Sequence, residues 1–397
     1  MPRPTRRHRN LTVELLEDRI TPTITFAPFG PDFATGADPR SIAEGDLTGN
    51  GITDVAVGAD SEVDIFLGDG HGNFTPDVNV LSFGAATNLF LVDLTGNGKL
   101  DLVGADGING ELCVAMGNGD GTFQPTKRWT ATKGIQSMAI GDLNGDGLPD
   151  VVIGYPSGVG VFLNDGTGNI FANPTYYPAP KQQSGDSFFS IVVGDFNGDG
   201  HPDVAAGDYD GNAVDVFLNK GNGTLGIAIV YKNPIPNGTA DLVAGDFNND
   251  GKLDLVAAYI NSSKIGLLLG NGNGTFKAPT LIKTPVQVSA QANSDYVAAD
   301  FDQNGNLDLL LSSPGYSSGN AFILPGKGNG TFGAPITVDG VGDSAGILVG
   351  DFSGDGLLDL GNAVNTESGG FRVAINTSPD AAISSFAVSA PADVNPG

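Results

Sequence analysis

One nine-residue pattern returns seven times in this chain, and a repeat of that period limits the architecture more than any local propensity does. The copies are DLTGNGITD at 46–54, DLTGNGKLD at 93–101, DLNGDGLPD at 142–150, DFNGDGHPD at 195–203, DFNNDGKLD at 246–254, DFDQNGNLD at 300–308 and DFSGDGLLD at 351–359. Their first aspartates stand 47, 49, 53, 51, 54 and 51 residues apart. The 397 residues are therefore one array of seven units, and not the two or three domains that length alone suggests.

Each copy offers oxygen at fixed positions. Position one is Asp46, Asp93, Asp142, Asp195, Asp246, Asp300 and Asp351. Position three is Thr48, Thr95, Asn144, Asn197, Asn248, Asp302 and Ser353, and position five is Asn50, Asn97, Asp146, Asp199, Asp250, Asn304 and Asp355. Position six is always Gly. Position seven (Ile52, Lys99, Leu148, His201, Lys252, Asn306, Leu357) varies, as it does where only a main-chain carbonyl is used. Position nine is Asp54, Asp101, Asp150, Asp203, Asp254, Asp308 and Asp359. Oxygen at one, three and five, the sharp turn at six and a carbonyl at seven are the chemistry of an EF-hand calcium loop. The glutamate at twelve is missing, with Ile153 there in the third copy, so the aspartate at nine becomes the closing carboxylate. The flanks, such as Asp54-Val-Ala-Val-Gly58, are strand-like and not helical.

Asp, Asn and Gly also make ordinary Asx-turns, which is the competing reading. Nineteen aspartates at these positions would repel one another if nothing neutralised them, which favours calcium. The expectation is up to seven Ca2+ ions, one per unit, held most weakly by the first two copies with their two carboxylates each.

A second marker is a Gly-rich turn running into Phe or a substitute: Gly68–Phe74, Gly117–Phe123, Asn164–Ile170, Asn219–Leu225, Gly270–Phe276 and Gly326–Phe332. The seventh unit ends at Phe371–Thr377 without one, while an orphan Phe26 lies 20 residues before Asp46, much as Phe332 lies 19 before Asp351. The chain start thus reads as the missing outer strand of the last unit. With 60 Gly and 24 Pro marking turns, the expected fold is all-β: a seven-bladed β-propeller of four-stranded antiparallel blades over 23–377. A linear solenoid would not predict complementary missing halves at the two ends.

The units resemble the FG-GAP/VCBS repeats of integrin α-subunit head propellers and of many bacterial surface proteins. That resemblance implies calcium in the loop between the first two strands of each blade. Some calcium-dependent polysaccharide lyases are propellers with similar loops. The segment 1–22, with Arg3, Arg6, Arg7, Arg9 and Leu16-Glu17-Asp18-Arg19, resembles a bacterial L-E-P-R-x-L-L sorting segment, although Asp18 replaces the proline. It implies export; a disordered basic tail is the other reading. Residues 381–391 resemble the opening strand of an Ig-like module, or belong to a simple tail over 378–397.

A net charge of -26 argues against nucleic acid, and no apolar run approaches the roughly 18 residues of a membrane span. The lone Cys113 reads as a small buried hydrophobe and excludes an intrachain disulfide. The three histidines (His8, His71, His201) stand in no catalytic arrangement, so an enzyme is not expected. The expectation is a monomeric, calcium-stabilised binding or adhesion module, extracytoplasmic, secreted or at the cell surface. Its glycan or protein ligand would meet the face opposite the calcium loops. Tyr155, Tyr209, Tyr259 and Tyr316, just beyond the second strands, are the candidate ligand contacts, with half-buried packing as the alternative. A lyase-like enzyme and a purely structural repeat module remain the other functional readings.

Overall fold

The computed structural model describes residues 24–76, 81–84, 86–166, 174–180, 188–288, 296–312, 320–341, 344–364 and 369–378. The basic segment 1–22, the chain beyond Ser378, Ile170 and Tyr316 lie outside the described residues.

Each repeat folds into one antiparallel sheet, and seven such sheets make a β-propeller. In blade one the strands are Ser41–Gly45, Asp54–Gly58, Glu62–Gly68 and Phe74–Pro76, and the short piece Leu81–Ser82 also pairs with the third. Blades two to six span 86–130, 137–178, 188–232, 239–283 and 296–338, four strands each in chain order. Every second strand opens on the aspartate at position nine and is buried throughout, except at the last residue of the third, Tyr155. Such a strand is covered on both faces by neighbouring sheets, which is why it reads Asp-Val-Ala-Val instead of alternating with polar residues. The fourth strands, at the rim, are mostly exposed and carry lysines, such as Lys127, Lys232 and Lys283, which discourage edge pairing.

The core is divided among seven apolar clusters, one between each pair of adjacent blades. The ring closes between blade seven, whose strands are Ser344–Gly350, Asp359–Val364 and Gly370–Ala374, and the start of the described chain. Phe33 N–H donates to the Phe371 carbonyl at 2.7 Å, Gly30 N–H to Val373 at 2.9 Å and Ala27 N–H to Ile375 at 2.8 Å, so residues 26–33 lie along the outer edge of that blade. Phe33, Phe66 and Phe74 surround the fully buried Phe371, with ring centroids 5.1–5.9 Å from it, and Phe74 reaches Phe352. Rings from three stretches of chain thus pack the seam where the two ends of the array meet.

Candidate functional site: seven acidic loops on one face

The loop joining strands one and two of a blade and the Gly-rich turn joining strands three and four emerge on the same face, because strands alternate direction. The loop is held from inside. At position one, Oδ2 of the aspartate accepts the N–H of the glycine at six in all seven copies, at 2.6–2.9 Å. At position five, Oδ1 of the Asn or Asp accepts the N–H of position seven, at 2.7–3.1 Å. The glycine at six has positive φ throughout, and so does position four, which twice carries a non-glycine residue, Asn249 (56°) and Gln303 (53°). Left-handed residues at positions four and six, one residue apart, fold the backbone around the space between the side-chain oxygens.

Position nine does more than close a loop. In every copy its Oδ2 accepts the N–H of position two, at 2.9–3.1 Å, and its Oδ1 accepts the first N–H of the Gly-rich turn or, in the seventh copy, which lacks that turn, the N–H of Asn376, at 2.7–2.9 Å. The seven carboxylates are at most 1% exposed. Each one staples the two hairpins of its own blade. The carbonyl at position two then accepts a donor from the next blade. For Leu47, Leu143, Phe196, Phe247 and Phe352 the donors are the N–H groups of Gly121, Gly223, Gly274, Gly330 and Gly72; for Leu94 and Phe301 they are the side-chain amides of Asn164 and Asn376. Asn219 adds a second donor to Leu143. A belt of hydrogen bonds therefore runs round the whole loop face, and Gly72 to Phe352 carries it across the seam. Sequence reasoning missed this belt; its signal was that position two is Leu or Phe in all seven copies.

The electrostatics separate the two ends of the loop. Burial pushes the carboxyl of Asp308 up to about 7 and those of Asp150 and Asp203 up to about 6, against the counter-pull of their N–H bonds, with neighbouring loop aspartates adding to the rise. At position one burial also works upward, but N–H bonds from the loop outweigh it and hold Asp46 and Asp93 below the ordinary value.

The donor set fits a hard cation. In the sixth loop Asp300, Asp302 and Asp308 each bring one oxygen within 4.8 Å of the others. In the second and seventh loops the position-three hydroxyls, Thr95 Oγ1 and Ser353 Oγ, are buried without a hydrogen-bond partner, although a buried hydroxyl normally has one. Oxygen-only donors of this kind suit calcium at positions one, three, five, seven and nine.

The tyrosines behave differently from one another. Tyr259 is 1% exposed and belongs to the core between blades four and five, so it presents no surface and the expectation for it is corrected. Tyr209 and Tyr155 are half-buried, and Tyr155 meets a ring that the sequence did not single out, Tyr176, at 5.4 Å between centroids.

The model of the FG-GAP-like repeat matches residues 46–104, 93–153, 142–206, 195–257, 249–311 and 300–361, and the chain belongs to that family. Among curated relatives, cartilage acidic protein 1 of Mus musculus is 28% identical over 156 residues, 36% of this chain and 24% of that protein. Integrin alpha-7 of Homo sapiens is 32% identical over 140 residues, 32% of this chain and 12% of that protein. The match thus covers about a quarter or less of these relatives' own length. Two solved structures share the fold. An Agrocybe aegerita lectin that recognises non-reducing terminal N-acetylglucosamine has TM-score 0.55 and 21% identity over 85% of this chain and 94% of its own. BBS1N, solved in complex with ARL6DN, has TM-score 0.61 and 12% identity over 89% and 96%.

Proposed function

We propose that this chain is a calcium-stabilised, non-enzymatic binding or adhesion module that works outside the cytoplasm, with one ion in each of up to seven loops. The observation that carries the reading is the sevenfold set of buried carboxylates on one face, with unpartnered hydroxyls at Thr95 and Ser353 where an ion would take an oxygen. The likeness to integrin alpha-7 and cartilage acidic protein 1 supports an extracytoplasmic, adhesive role. The lectin with the same fold supports a glycan as ligand. The ions would neutralise the loops and leave the opposite face and the rim for the ligand.

Ions that bind only the folded chain add about 2.7 kcal/mol per site at a hundredfold excess over Kd. Metal-free protein titrated with calcium should therefore melt progressively higher. Superimposable melting curves with and without calcium would refute the metal reading.

A further inference from the structure

We propose that the outer cleft between blades two and three is a binding site for a pyranose unit of a neutral glycan, seated on Tyr176 and Tyr155. This rests on the reading of the chain as a binding module and gives it a location.

Strand alternation turns Tyr155 to the same side as Val151 and Ile153, whose cluster lies between blades two and three. Tyr176, on the rim strand Thr175–Pro178, is the register partner of Gly160. A Cβ at Gly160 would come 3.0 Å from Tyr176 Cε1, so the ring occupies the space a side chain would take. Tyr176 meets Tyr155 edge-on (5.4 Å, 81°) and Phe162 edge-on (6.3 Å, 87°), and it remains 39% exposed. Trp129, the only tryptophan of the chain, packs on the same cluster from blade two. Among the described residues no hydrogen bond holds either phenol hydroxyl of this pair.

Blade five shows why these two rings stay at the surface. Tyr259 takes the place of Tyr155 there, Gly266 that of Gly160, and Leu281 that of Tyr176. With no ring on the rim strand, Tyr259 folds across Gly266, where a Cβ would lie 1.9 Å from its Oη, and the tyrosine fills its own cleft. In blade three Tyr176 already holds that space, so Tyr155 cannot collapse inward. Two rings fixed by edge contacts, each with a hydroxyl that no described residue holds, form a preorganised surface that loses little entropy when a ligand lands. Aromatic faces suit the C–H face of a pyranose while the hydroxyls meet its own. A net charge of -26 repels a polyanion, which leaves neutral sugars.

Because Trp129 is the only tryptophan, its emission reports on this cleft. Titration of the calcium-loaded protein with cellotriose, chitotriose and mannotriose should shift that emission for at least one of them. Tyr176→Leu, which keeps apolar bulk but removes the ring, should weaken that binding about tenfold. Ile227→Ala, 93% exposed just before the rim strand of blade four, should leave it unchanged, and calcium-dependent melting should be the same in all three proteins. No emission shift with any trisaccharide, or a shift that survives Tyr176→Leu, overturns the site while calcium-dependent melting leaves the binding-module reading standing. A response to tetramethylammonium and none to the sugars would mark a cation site and overturn the glycan.

Discussion

The buried carboxylates give stability a pH dependence whose sign depends on calcium. In the metal-free chain Asp308 titrates near 7 and Asp150 and Asp203 near 6, against an ordinary 3.8 that serves for the unfolded chain. The folded state then holds these protons more tightly than the unfolded state. Their contribution is fully present below about pH 4 and is lost as pH rises through 6 to 7. Taken whole, carboxyls displaced that far correspond to about 3–4 kcal/mol each, and solvent screening cuts this to about 1–2 kcal/mol each. Three such groups make metal-free protein about 3–6 kcal/mol less stable at pH 7.5 than at pH 4.5. With calcium the sign reverses, because protons compete with the ion for the same oxygens and stability falls as pH drops. Calorimetric melts across that range, with and without calcium, should therefore give slopes of opposite sign. Relief of the -26 charge in acid acts in the same direction as the buried groups, but salt screens it far more than it screens them, so most of the metal-free slope should persist at high ionic strength. A metal-free slope that falls toward acid would show that these carboxyls are ionised without an ion and would refute the reasoning.

Phe371→Ala should lower stability by about 3–5 kcal/mol, because the ring is fully buried among Phe33, Phe66 and Phe74 at the seam; a denaturant midpoint unchanged from the parent would show that the ends do not hold the ring. Asn219→Ala should cost about 1–3 kcal/mol, since its side-chain amide joins the Leu143 carbonyl of blade three to the Pro202 carbonyl of its own blade; urea unfolding of the variant measures this directly.

Much of this protein was determined by its sequence alone. Seven copies of one loop give seven blades, the glycine at six sets each turn, and the aspartates at one and nine mark the ends of each loop. The pairing of the Phe26 segment with blade seven was legible as a missing strand at one end and a surplus strand at the other. These features are local or periodic, so spacing carries them. What the tertiary structure decided are the contacts across blades. The position-nine carboxylate bonds a turn 14–18 residues further along, and position two meets the next blade, pairs that no short window of sequence displays. The two tyrosines at matching repeat positions diverge for the same reason. Tyr259 is buried because Leu281 leaves room over Gly266, and Tyr155 stays half-exposed because Tyr176 fills the room over Gly160. The repeat placed both tyrosines at the end of a second strand, and the residue standing beside each on the sheet, brought there only by folding, chose between core and surface.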